Sequence, residues 1–310
     1  MTSILKRIYK STLGIYERKN LSAWNHAPIN SMPIYGIYHI FCDANWEEMV
    51  REQVGRLAQT GLLDASKKLY ISCIAKSEED IQKLKDILRA YDNSGKKIEF
   101  VSQTTNPRRF EFPALDYMYE KSQKEDFLFY YFHTKGITYQ TAKGMEDKVF
   151  NGFVKKIAAW RRMMEYFIMN QWKVAVNTLM GGYDTYGSYL FPPFKQKMYA
   201  GNFWWARSNY FRTLPALDED IKLHNRFMAE EWLLSKPDVK PFSAFDTVAD
   251  LYFVEISPYI YEIDKHSLWQ GLKFCATYTY RKYQRKWFGY SYKKHCQEKF
   301  QPVSYTHLTL

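Results

Sequence analysis

The stretch Asp126-Phe127-Leu128-Phe129-Tyr130-Tyr131-Phe132-His133-Thr134-Lys135-Gly136 decides how the chain is read. Apolar and aromatic residues run without a break from Phe127 to Phe132, then stop at an imidazole, a hydroxyl, an ammonium and a glycine. A short, aromatic-rich run bounded by turn formers predicts a buried strand. In open α/β sheets, ligands bind outside the carboxyl ends of the strands. His133, Thr134, Lys135 and Gly136 are therefore candidate ligand contacts. Lys135 suits a diphosphate, and Gly136 lets backbone approach it closely.

Upstream of this run, strand and helix patterns alternate. Ile34 to Cys42 predicts a first strand, and Asp43-Ala44-Asn45 leads into a segment where Trp46, Met49, Val50, Val54, Leu57, Ala58 and Leu62 repeat at helical spacing. Lys68 to Ala75 reads as a second strand, and Ser77 with Asp80 opens a second helix. Lys97 to Val101 reads as a third strand and Phe112 to Ser122 as a third helix, with Pro113 in its first turn. Phe127 to Phe132 is then the fourth strand. This alternation predicts an α/β fold built on βαβ units with right-handed crossovers. Farther on, one long amphipathic helix is expected from Met145 to about Met180. Extended runs are expected at Tyr183–Leu190, Tyr199–Arg207 and Leu251–Ile263, and a helix over Arg226–Leu234.

The 310 residues suffice for one large domain with appendages. No apolar run approaches the ~20 residues that span a bilayer, and the first residues lack the apolar core of a signal peptide. A cytoplasmic protein is expected. The four cysteines lack the close pairing of zinc sites or disulfide frameworks. The net charge of +11 calls for an anionic partner. Residues 267–301 carry eight Lys or Arg against the single acid Glu298, with ten interleaved aromatics. This pattern predicts a basic amphipathic helix suited to an anionic membrane surface, or else one that packs its Tyr and Trp on its own domain. No nucleic-acid module is recognisable, so nucleic acid is not the expected partner. Phosphate-loop, dinucleotide, serine-hydrolase and zincin motifs are all missing. Val303–Leu310 back-translates into a transposon-end sequencing adaptor, so 302–310 is expected to be an artefact.

Two later segments join the strand end as candidates. Tyr199-Ala200-Gly201-Asn202-Phe203-Trp204-Trp205-Ala206-Arg207 combines tryptophans that suit sugar C–H faces with polar groups that suit hydroxyls or phosphates. Ala229-Glu230-Glu231 places paired acids in a helix. One of them, turned into a cleft, could act as a general base.

The order of these pieces resembles the GT-A-type glycosyltransferases, and more narrowly the bacterial capsule, O-antigen and rhamnan-synthesis transferases. The resemblance covers roughly residues 34–265. It implies a Rossmann-type mixed sheet flanked by helices over 33–265, preceded by a basic segment (1–32) and followed by a basic aromatic helical appendage (266–301). It implies hexosyl or related glycosyl transfer from a nucleotide-sugar donor to a glycan or lipid-linked glycan acceptor at the inner face of the plasma membrane. Glu231 or Glu230 would be the base. His133, Thr134, Lys135, Gly136, Glu111 and Asp43 would lie on the donor and diphosphate side. Gly201, Asn202, Trp204, Trp205 and Arg207 would shape the sugar and acceptor side. The family's metal-binding Asp-x-Asp is replaced here by His133-Thr134-Lys135. Either Lys135 and nearby arginines take over the charge of Mg2+ or Mn2+, or a metal binds through His133 and another group such as His266. Two rival readings are a non-catalytic protein that binds anionic lipid or nucleic acid, and another nucleotide-dependent transferase on the same scaffold.

Overall fold

The computed structural model describes residues 14–28, 32–92, 94–141, 146–192 and 197–300. The suspected adaptor tail at 302–310 lies outside them. Strands β1 (Ile34–Phe41), β2 (Lys68–Ile74), β3 (Ile98–Thr104) and β4 (Leu128–His133) form where the sequence predicts them. Helices α1 (Trp46–Gln59), α2 (Glu78–Arg89) and α3 (Phe112–Ser122) connect them. The Ser77 side chain caps α2 by accepting from the Asp80 amide at 3.2 Å. Three short strands extend the sheet: β5 (Thr185–Gly187), β6 (Trp204–Arg207) and β7 (Pro241–Ser243).

The strand order is β7-β5-β6-β4-β1-β2-β3. β1 runs parallel to β2 and β4, β2 to β3, and β5 to β7, whereas β6 runs antiparallel between β4 and β5. The chain proceeds from β1 outward to β3 and then returns to the other side of β1. The boundary between β1 and β4 is therefore a topological switch point, where such sheets open a crevice at their carboxyl ends.

Both faces of the central strands are covered, which explains their near-continuous apolar character. On one face Tyr35, Ile37, Phe129, Tyr131 and Trp204 pack with α3 and Trp232. On the other, Tyr38 stacks on Phe132 at 4.2 Å and Tyr130 lies against Trp205 at 4.9 Å.

The long helix expected from Met145 is two helices, α4 (Lys148–Glu165) and α5 (Trp172–Met180), joined by a π-helical turn over Tyr166–Asn170. The Gln171 amide closes that wide turn on the Tyr166 carbonyl at 3.0 Å. The helix expected over Arg226–Leu234 is α6 (Met228–Glu231) followed by a 3-10 turn. Leu251–Ile263 is not extended: it forms turns and a short helix, Pro258–Tyr261.

The chain divides into two compact units. Of the described residues, one comprises Asn20–Thr134 and Met164–Ala244 and holds the seven-stranded sheet; the other comprises those up to Lys19, Lys135–Met163 and those from Phe245 on. In the second unit, Tyr16–Arg18 pairs antiparallel with Phe245–Thr247. This long-range ladder draws residues near the start of the chain to its last third, and no local pattern signals it. Helices α7 (Leu268–Phe288) and α8 (Tyr292–Lys299) belong here, and Tyr292, Cys296 and Phe300 pack with Phe150, Phe153 and Ile157. Among the described residues, no helix is long and apolar enough to cross a membrane.

Gly36 tests the register of β1. A Cβ there would lie 2.4 Å from Tyr130 Cζ and 2.7 Å from Leu69 Cδ1, both in fully buried side chains. We expect Gly36→Ala to destabilise the protein by about 1–3 kcal/mol through overpacking, read from the urea midpoint. An unchanged midpoint contradicts this register.

Candidate functional site at the sheet's carboxyl edge

The parallel register of β1 and β4 sets His39 beside His133, and that of β1 and β2 sets His39 beside Ser72. Side chains alternate across a strand. These three groups thus continue the Tyr35–Ile37 and Phe129–Tyr131 face to its carboxyl end, where the apolar row turns polar. His39 Nδ1 lies 3.4 Å from Ser72 Oγ. Its burial, with a smaller contribution from the His133 charge, lowers its pKa to about 4, although Glu111 pulls the other way.

Glu111 reaches this row from the start of α3. It occupies the N-cap position but makes no capping bond to its own helix. Instead its Oε2 accepts from Asn202 Nδ2 at 2.6 Å, and its Oε1 lies 3.8 Å from His133 Nδ1. The preceding residue, Phe110, has φ 47°, a conformation unfavourable for a bulky side chain. Such strain clusters at functional sites, and here it delivers the carboxylate to the cluster.

Gly201 and Asn202 approach from the opposite side, both in the left-handed region (φ 84° and 60°). Their tight turn aims the Gly201 carbonyl at His133 Nε2, 3.0 Å away. A carbonyl only accepts, so Nε2 carries a proton. Nδ1 then faces the Glu111 carboxylate. Asn202, itself buried, also donates to the Ala229 carbonyl at 3.3 Å and accepts from Trp204 Nε1 at 2.8 Å. Asn202 therefore ties Glu111 to α6, the helix that carries the paired acids. On the opposite sheet face, buried Gln53 donates to the His133 carbonyl at 3.3 Å and to Glu165 at 2.9 Å, which fixes the strand tip from behind.

The two acids of α6 differ. Glu230 acts electrostatically on the buried Tyr131 hydroxyl. Burial and then Glu111 and Glu230 push that phenol's ionisation well above its ordinary range. Glu231 faces Lys197 at 3.4 Å and is more than a third exposed.

Asp43 sits just past β1 and is 1% exposed. Its Oδ1 accepts from the Ala44 amide at 2.9 Å and from Lys76 Nζ at 2.6 Å, whereas its buried Oδ2 has no hydrogen-bond partner. A carboxylate oxygen in that state is poised for a ligand donor. Asp43 lines a cleft of about 410 Å3 together with Lys76, Trp46, Glu47, Glu48 and Asp80. Four acids against one cation make this cleft hostile to phosphate and suited to neutral hydroxyl or N–H donors.

Several sequence expectations are corrected by this geometry. Trp204 and Trp205 are core residues, 1% and 0% exposed. Trp204 stacks on Tyr131 and Trp205 donates to the Ile168 carbonyl, so neither indole has a face open to a sugar. Arg207 pairs with Asp184 at 2.6 Å and lies opposite Leu128, at the far end of β4 from His133. The buried Thr134 hydroxyl accepts from the Phe41 amide at 3.0 Å and stitches β4 to β1. Lys135 and Gly136 belong to the other unit, where the Lys135 ammonium lies over the Trp160 ring and Gly136 (φ 83°) backs onto Ile157. His266 is exposed in that unit too. Among the described residues, no group of three His, Cys, Asp or Glu side chains could hold a metal. His133 and Glu111 are already hydrogen-bonded elsewhere and do not form a Mg2+ or Mn2+ site by themselves.

His39 was missed from the sequence because a lone histidine in an apolar strand reads as core. Its one signal is its place near the end of a strand that pairs with the His133 strand.

No protein-family model, curated protein or solved structure matches the chain.

Because His39 is held neutral when folded but protonates below its ordinary pKa of 6.5 when unfolded, its contribution is complete above pH 6.5 and is lost as pH falls towards 4. The loss amounts to about 3 kcal/mol. We expect His39→Gln to remove this part of the acid destabilisation in chemical denaturation at pH 7 and pH 4. Equal losses in wild type and variant contradict the assignment.

Proposed function

We propose that the protein is a GT-A-like glycosyltransferase that uses a nucleotide-sugar donor and acts in the assembly of a bacterial surface polysaccharide. The observation that carries this reading is the unpartnered buried oxygen of Asp43, beside an acidic cleft at the carboxyl ends of β1 and β2, four residues along the chain from His39. In this reading the nucleoside occupies the cleft, and Asp43 Oδ2 accepts from a ribose hydroxyl or a base N–H. The acidic lining turns the diphosphate away from the cleft. Lys76, more than half exposed, meets its charge.

The acceptor hydroxyl is deprotonated by Glu230. This acid is carried by the helix that Asn202 anchors, and its charge is felt at the polar tip of the sheet. Glu231, held towards Lys197, positions that helix. The Asn202 bridge keeps Glu111 aligned with His133 while sugar and acceptor bind. No step in this scheme is routed through a metal ion.

The test is release of nucleoside diphosphate or monophosphate from UDP-, GDP-, dTDP- and CMP-sugars in the presence of glycan acceptors. We expect turnover with one donor class. Glu230→Gln should lower kcat by roughly 100-fold or more, the typical contribution of a general base, with KM for the donor little changed. Glu231→Gln should cost far less. Full activity in both variants contradicts the assignment of the base, and no turnover with any donor contradicts the reading itself.

A further inference from the structure

The helix α7 shows two apolar faces. One is used within its own unit: Gly271, Phe274, Cys275 and Tyr278 recur at helical spacing and pack inward. Phe274 meets the Tyr16 ring edge-on at 5.7 Å, a Cβ on Gly271 would lie 2.4 Å from the Tyr16 hydroxyl, and Tyr278 donates to the Val248 carbonyl at 3.0 Å. The other face is open. Leu268, Leu272, Ala276 and Tyr280 follow at four-residue intervals and Trp287 prolongs the stripe, with Trp269 beside its first turn. Leu268, Trp269 and Trp287 are 75%, 72% and 68% exposed, and Phe288 next to Trp287 is exposed too.

Isolated exposed apolar side chains are ordinary, but a stripe along a 21-residue helix is not. Its charge is equally one-sided. The helix carries Lys273, Arg281, Lys282, Arg285 and Lys286 and not one acid. Lys273, Lys282, Arg285 and Lys286 are exposed. A second copy of the chain would bring the same cations face to face. A polynucleotide would satisfy them but leave Leu268 and Leu272 without a purpose.

We propose that this outer face of α7 docks the protein on an anionic lipid surface. Leu268, Trp269, Leu272 and Trp287 enter the boundary between headgroups and acyl chains, and the flanking cations meet the acidic headgroups. The sequence pattern pointed to 267–301 as a whole; the structure narrows the contact. Tyr292, Cys296 and Phe300 of the following segment are buried in their own unit and are not part of it.

The experiment is co-sedimentation of the full-length chain with vesicles of phosphatidylcholine alone or with added phosphatidylglycerol, in 0.1 M and 1 M NaCl. Thermal unfolding of each variant and light scattering accompany it. We expect binding to the phosphatidylglycerol vesicles, weakened by high salt as the Debye length shrinks from about 10 Å to about 3 Å, and little binding to phosphatidylcholine. The exposed-face variants Trp269→Ser/Leu272→Ser and Lys282→Gln/Arg285→Gln/Lys286→Gln should each weaken binding by at least roughly tenfold without lowering the melting temperature. Absence of vesicle binding, or binding unchanged in the triple charge variant, overturns the proposal. So does a stable dimer that Trp269→Ser/Leu272→Ser converts to monomer, because the stripe is then a subunit interface.

Discussion

The parallel pairing of β1 with β4 is the constraint on which the rest of the site depends. It is the one contact in the sheet that joins the outward-winding half, β1 to β3, to the half that returns. Its register puts His39 against His133 and aligns the strand tips, so that one polar row crosses the carboxyl edge. The hydroxyl of Thr134 on the Phe41 amide and the Thr134 amide on the His39 carbonyl carry this pairing past the end of the ladder. A slip by one residue would exchange the two faces, driving Tyr131 and His133 into the packing occupied by Phe132 and Tyr130.

Around that edge, stability and the proposed chemistry draw on the same groups. Asn202 satisfies Glu111, the Ala229 carbonyl and the Trp204 indole at once. It does so from a left-handed backbone that only the neighbouring glycine and the surrounding core hold in place. The buried indoles give this turn its rigidity. Asp43 shows the opposite logic: its Oδ1 has a salt-bridged partner and its buried Oδ2 has none. Leaving a buried acceptor unmade costs about 1–3 kcal/mol, a penalty that a ligand's donor would relieve.

The first four strands were legible because each is a long run of aromatic and β-branched residues between capping or turn signals. The later strands span only three or four residues each. Their pairing depends on distant partners that local patterning does not reveal, and for the same reason Leu251–Ile263 was misread as extended. In the site, His133, Glu111, Asn202 and Asp43 were named from the sequence, and the structure gives each of them polar partners at the sheet's carboxyl edge. The tryptophans were misread because residue type reports what an indole can stack on, not whether its faces are already taken. Arg207 was misread because a four-residue strand carries its two ends to opposite ends of its neighbour. His39 escaped notice because its importance lies wholly in register.

The most direct test of the account is calorimetric titration of the full-length protein and of Asp43→Asn with UDP, GDP, dTDP and CMP. The account requires that one of these nucleotides bind the wild type saturably and that Asp43→Asn weaken that binding by roughly tenfold, the worth of a hydrogen bond to a charged acceptor. Failure of all four to bind, or equal binding by the variant, would contradict a nucleoside seat in the Asp43 cleft.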